Sequence, residues 1–328
     1  MAEWTAFGWQ GLSANVPSEW ELVGIPKHHD PEEGYLRLDD SVQPRLELKW
    51  KAHSQRKFDI DKTLDEYLSS IKKTYAKANG AIEIRRDQVL IPYSGPHAAF
   101  HENREVIFFS WQGEFKAFGL IWRCELCRRV LMAQVIGARG EGGLRQTALD
   151  VFHSLQDHPE GETSLWTAYG LEMEIPRRFR LDKLQLLNGY ILFAFTDGSQ
   201  RLVVERYGLA HQLLTGRTME EWFRAAYRKS LRGTYFVIEP DPEDPNGLRL
   251  DGRDARLIDQ IDRWDVGVSR GWDTLFRRVR TSAILWHDPS ANRIYVVRAT
   301  GKERPWAIAE RVAGSIRGPK RGANSEAA

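Results

Sequence analysis

Cysteine is almost absent: the chain of 328 residues holds two, Cys124 and Cys127. One pair cannot build a disulfide framework, so stability has to come from buried apolar cores. No apolar run approaches the ~18 residues of a bilayer-spanning helix. The opening stretch MAEWTAFGWQ has neither a basic nor an apolar leader segment, and no secretory signal is expected there. An excess of one charge is also lacking. Against 47 Lys and Arg stand 45 Asp and Glu, too even a balance to argue for nucleic acid by itself. The short motifs G-x-S-x-G, H-E-x-x-H, the P-loop and the dinucleotide glycine fingerprint are missing. These absences lead to the expectation of a cytoplasmic, non-membrane protein that is not an enzyme of a motif-bearing class. A catalytic site assembled by the fold from scattered residues is not excluded by them.

What is present is a chain written twice. WTAFG at 4–8 returns as WTAYG at 166–170, and VPSEW ending at Trp20 returns as IPRRF ending at Phe179. RLELKW (45–50) matches RLVVER (201–206), and TLDEYL (63–68) matches TMEEWF (218–223). WRCELCRRVLMAQVIG matches WHDPSANRIYVVRATG, which aligns Trp122, Arg129 and Gly137 with Trp286, Arg293 and Gly301. The pieces keep one order, as tandem copies do. The copies are read as domains 1–158 and 165–317, joined by a polar linker at 159–164. The tail 318–328 has few apolar residues and is expected to be disordered.

In both copies a Thr and a Glu three residues later, Thr63 with Glu66 and Thr218 with Glu221, have capping-box spacing before an apolar helical face. Leu64, Leu68, Ile71 and Tyr75 mark that face first; Met219, Trp222, Phe223 and Ala226 mark it again. Between the helices, AIEIRR, EVIFFSW, FKAFGLIW, TYFVIEP and RIYVV read as strands joined by short turns. Such turns join antiparallel neighbours, since parallel crossovers need more chain. The predicted class is α+β: two tandem copies of a mostly antiparallel sheet flanked by helices.

LSANVPSEW and LEMEIPRRF near the two starts, with this order of elements, resemble the PsbP-like fold superfamily. The resemblance spans nearly all of both copies but rests on a short motif. It implies binding of other proteins rather than catalysis, and it carries over no site residue.

Four local features are candidate sites. CELC aligns with DPSAN of the second copy and so reads first as a hairpin tip with structural or incidental thiols. A labile disulfide and a zinc knuckle are the alternatives. Zinc needs two more ligands. His97 and His101 offer themselves, but on a strand they would stand ~13 Å apart. GARGEGG (137–143) lacks the βαβ setting of a phosphate loop and reads as a connector. Asp241, Glu243 and Asp244 in PDPEDPNG do not have the EF-hand spacing and read as a rigid acidic turn.

The fourth feature is a second-copy insertion, within RWDVGVSRGWDTLFRRVR (263–280). It holds Trp264, Arg270 and Trp272, followed by Arg277, Arg278 and Arg280, the residue types most enriched at binding hot spots. Charge divides unevenly as well: residues 1–160 hold 20 cationic and 23 anionic side chains, the remainder 27 and 22. The expected function is that of a non-enzymatic scaffold acting through protein–protein contacts. The alternatives are a metal- or thiol-dependent protein using Cys124 and Cys127, with zinc as the cofactor, and a nucleic-acid binder using the basic second domain.

Overall fold

Trp122 pairs with Leu131 across one β-hairpin, and Trp286 pairs with Tyr295 across another, the same register displaced by 164 residues. The match runs along both hairpins, from Lys116↔Gly137 and Arg280↔Gly301 onward. In this computed structural model, residues 3–26, 30, 32–53, 58–77, 80–86, 89–229, 234–242, 244–254, 279–302 and 304–316 are described. The chain divides into two compact units, residues 1–170 and 171–328. The boundary falls after the strand that holds the second WTA motif.

The first unit opens with strands β1 (Trp4–Trp9) and β2 (Leu12–Pro17). Gln10 and Gly11 turn between them with φ 49° and 83°, the left-handed pair that a two-residue hairpin of this twist requires. Then come β3 (Glu21–Gly24), β4 (Glu33–Asp39), β5 (Pro44–Ala52), helix α1 (Ile60–Lys77) and β6 (Glu83–Arg86). A 3-10 helix, Gly95–His101, leads to β7 (Arg104–Gln112), β8 (Phe115–Cys124), β9 (Arg129–Ala138), helix α2 (Leu144–Ser154) and β10 (Thr163–Ala168). The second unit has β11 (Leu171–Pro176), β12 (Arg180–Leu187), β13 (Tyr190–Thr196) and β14 (Arg201–Gly208). Helices α3 (Ala210–Leu213) and α4 (Met219–Ala226) follow. The unit closes with β15 (Thr234–Asp241), β16 (Asp244–Asp254), β17 (Val279–Asp288), β18 (Arg293–Gly301) and helix α5 (Pro305–Ser315).

Each unit has one seven-stranded antiparallel sheet. The orders β3-β4-β5-β9-β8-β7-β6 and β12-β13-β14-β18-β17-β16-β15 are one topology used twice. The predicted α+β class and the duplication are therefore seen strand by strand. In the first sheet α1 covers one face: Leu64 and Leu68 meet Phe109, Ala117, Ile121 and Val130. Helix α2 packs against β2, β8 and β9. That burial on both faces explains why FKAFGLIW reads as a near-continuous apolar run rather than an alternating one. In the second unit Trp222, Phe223 and Tyr227 of the α4 segment meet Leu250, Leu285 and Val296, while α5 packs on β11, β17 and β18.

The two helix starts are unequal, against the sequence expectation. Thr218 and Glu221 form the capping box, with Thr218 Oγ1 accepting from the Glu221 N–H at 3.2 Å and Glu221 Oε2 from the Thr218 N–H at 2.7 Å. In α1 the box is not formed, because the helix begins earlier, at Ile60. Asp59 Oδ1 accepts from the Lys62 N–H, and Thr63, already helical, donates its hydroxyl to the Asp59 carbonyl. The apolar face of α4 also differs: Ala226 is exposed and Tyr227 is buried in its stead. Thr218→Ala is expected to cost about 1 kcal/mol in chemical denaturation, and Thr63→Ala less than half of that.

Candidate metal centre

Cys124 ends β8 and Cys127 sits on the turn before β9, so the sequence expectation of a hairpin tip is met in position. Arg128 takes φ 56°, as its counterpart Asn292 takes φ 53°. The tips close differently. In the second unit Asp288, at the place of Cys124, accepts the Ser290 and Ala291 N–H groups and the Ser290 hydroxyl on one oxygen. That tip is closed by its own residues through this one oxygen. In the first unit the tip faces outward from its own turn toward the segment that follows α2.

That segment is anchored. Gln156 bridges Ser13 at the edge of β2, with backbone bonds of 3.0 and 2.8 Å. Its next residue, Asp157, is fully buried. Trp122 Nε1 donates to Asp157 Oδ2 at 3.2 Å, and Arg129 Nη1 donates to the Asp157 carbonyl at 2.7 Å. Arg104 lies over the Trp122 ring at 4.4 Å, with its guanidinium 3.9 Å from Asp157 Oδ1. These contacts aim Asp157 and His158 at the two thiols.

The result is a four-residue cluster: Cys124, Cys127, Asp157 and His158 each offer a donor atom, and all four atoms lie within 4.8 Å of one another. Cys127 Sγ is 3.4 Å from Asp157 Oδ2, Cys124 Sγ is 3.8 Å from His158 Nδ1, and His158 Nδ1 is 2.9 Å from Asp157 Oδ1. Donors around one tetrahedral zinc, at its usual bond lengths, stand about 3.3–3.8 Å apart. Both thiols are free, Cys124 buried and Cys127 half-buried. Burial first, then the Asp157 carboxylate and the neighbouring thiol, push the Cys127 thiol up to about 12. A thiol so placed is no nucleophile at neutral pH. A bound dication reverses that, since a coordinating thiol gives up its proton outright.

The geometry also separates a metal site from a Cys-His-Asp relay. A relay uses one imidazole nitrogen for the thiol and the other for the carboxylate. Here thiol and carboxylate both face Nδ1, the arrangement of donors converging on one point.

The histidines considered from the sequence are elsewhere. The segment Gly95–His101 is helical, the one condition under which His97 and His101 could share an ion, yet His97 lies against His153 and His101 bonds the Ile91 carbonyl. The two donors that join the cysteines are Asp157 and His158, at the edge of the linker expected from the sequence. Their only signal in the sequence is the adjacent pair DH thirty residues after Cys127. The acidic turn is also accounted for: Asp241 pairs with Arg249 at 2.9 Å and Asp244 accepts the Asn246 N–H, while Glu243 lies outside the described residues. In GARGEGG, Glu141 is clamped by Arg45. Of the proposed partner-binding residues, Trp264, Arg270, Trp272, Arg277 and Arg278 lie outside the described residues; Arg280 is exposed near the start of β17. Among the described residues no helix is long and apolar enough to cross a membrane. No protein-family model and no curated protein sequence matches this chain.

Proposed function

We propose that this chain is a metal-dependent, non-enzymatic binding protein whose first unit is stapled by one structural zinc ion. The observation that carries the reading is the convergence of two thiols, one carboxylate and one imidazole nitrogen within 4.8 Å of one another. Four protein donors complete a tetrahedral shell and leave no open position for water or substrate, which marks a structural rather than a catalytic zinc. Bound there, the ion joins the β8–β9 tip to the chain after α2 and closes a loop of about thirty residues. Trp122 and Arg129, which hold Asp157, act as the orienting groups that such sites depend on. The absence of catalytic motifs, the duplication and the PsbP-like resemblance support partner binding as the role of the whole, with other proteins as the partners.

The test is metal content. Purified from zinc-supplemented medium, the protein is expected to carry about one zinc per chain. Cobalt substitution should give the intense visible absorption of a tetrahedral thiolate site. Cys124→Ser with Cys127→Ser should abolish both. Metal-free protein with two freely titrating thiols, or a Cys124–Cys127 disulfide that persists in reducing buffer, overturns the reading.

A further inference from the structure

One place in the fold is filled by side chains in the second unit and left open in the first. In the second sheet Glu205 of β14 pairs with Val296 of β18, and Tyr207 with Ile294. Three phenols gather there, Tyr190, Tyr207 and Tyr227, each with its hydroxyl on the Glu205 carboxylate. Ile294 and Val296 are fully buried. The same register in the first sheet pairs Lys49 of β5 with Met132 of β9, and Lys51 with Val130. Lys49 thus stands at the position of Glu205, and Glu33 and Lys51 stand where the second sheet has Tyr190 and Tyr207. Lys51 and Glu33 pair with each other at 2.8 Å, their side chains 65% and 61% exposed. Lys72, at the place of Tyr227 in the helix alignment, is exposed as well. The three rings that close the second copy have solvated charges as their counterparts in the first.

What is left is a groove of about 680 Å³ beside α1. Ile121, Val130 and Met132 of the sheet form its floor, and Tyr35, Phe58 and Tyr67 line it from the sides. The Lys49 ammonium lies over the Tyr67 ring at 4.9 Å and the Tyr35 ring at 5.7 Å. Ring faces hold a cation without using its N–H donors. The neighbouring acids are engaged: Glu47 accepts the Tyr35 hydroxyl at 3.1 Å and the Gln134 amide at 2.7 Å, and Glu33 has Lys51. Lys49 is therefore a cation placed by two rings at an apolar groove, with its donors left for an acceptor there.

We propose that this groove binds a small planar aromatic carboxylate. Its ring takes the place that phenols fill in the second copy, and its carboxylate meets the Lys49 ammonium. The arrangement is that of the second copy with the sign of the fixed charge reversed. The volume is that of a small-molecule site. Phenol faces and the Met132 thioether favour a ring over an aliphatic chain. Asp30 and Glu66, exposed at the rim, disfavour a second negative charge on the ligand. The inference does not rest on the zinc reading, which concerns the β8–β9 tip, and the groove is expected to bind whether or not that tip holds a metal.

The experiment is calorimetric titration of the full-length protein with naphthoate. Saturable one-to-one binding is expected. Lys49→Met keeps the stem and removes the charge, and should weaken binding about tenfold, the worth of one charged hydrogen bond. Naphthalene methanol, which has the ring without the charge, should bind the parent about as weakly as naphthoate binds Lys49→Met. Glu33→Tyr with Lys51→Tyr puts back the ring pair of the second copy and should abolish binding. Lys183→Met, an exposed lysine of the second unit, should bind as the parent does. Absence of saturable binding to the parent, or a Lys49→Met protein that binds naphthoate as the parent does, overturns the proposal. So does octanoate that binds more tightly than naphthoate, since the ligand is then an aliphatic chain rather than a ring.

Discussion

Replacing Cys124 and Cys127 together by serine is expected to lower the stability of the first unit by about 3–5 kcal/mol, because metal binding free energy is folding free energy. For a unit of this size that is a fall of about 10 °C in the midpoint of its transition. Part of the loss has nothing to do with metal. Cys124 is 1% exposed, so the substitution buries a hydroxyl, which costs on the order of 1–3 kcal/mol without a partner. A reading of CELC as an exposed turn would put the whole cost near ~0.5 kcal/mol, and the burial of Cys124 removes that expectation. The discriminating measurement is the effect of a chelator. Chelation should bring the parent protein down most of the way to the variant and leave the variant unchanged. Acid should do the same to the parent, since protons compete for both thiolates and for the imidazole. A variant and a parent that respond equally to chelator would show that the cysteines matter only as packing.

Glu205→Ala is the second substitution with a large expected effect, on the other unit. Glu205 is 4% exposed on β14 and accepts three phenols: Tyr190 at 2.7 Å, Tyr207 at 3.1 Å and Tyr227 at 2.6 Å. Removing the carboxylate strips the shared acceptor from all three and opens a cavity under α4. With about 1–3 kcal/mol for each buried donor left unmet, and with Tyr207 and Tyr227 still bonded to each other, the cost should be about 3–5 kcal/mol. Glu205→Gln keeps volume and one acceptor oxygen and should cost less than half as much. The cluster also sets a response to alkali. Burial, and then the Glu205 charge, push Tyr207 up to about 12 and raise Tyr227 well above its ordinary value of 10.0. A phenol raised in the folded state contributes stability that is complete below pH 10 and is lost as pH climbs from 10 through 12. Denaturation curves across that window should show the loss in the parent. They should show a shallower loss in Glu205→Ala, where the carboxylate no longer opposes the phenolates. An equal slope in both would mean that burial alone governs these tyrosines.

Much of the architecture was written in local pattern. The 164-residue offset from WRCELC to WHDPSA, the alternation in RLELKW, and the Thr218–Glu221 pair are short-range signals, and each became the register, strand or cap that physical spacing requires. Where the copies share a pattern but not a structure, the cause is again local. Asp59 stands ready one helical turn ahead of Thr63 and takes the cap, so the helix starts sooner. The sites were not legible in this way. By itself the sequence determined a duplicated α+β chain with cores in both copies and a cysteine pair on a hairpin tip. Only the tertiary structure decided that Asp157 and His158 meet those cysteines, because their meeting depends on closing a long loop, and nothing in residues 124–127 encodes where residue 157 returns.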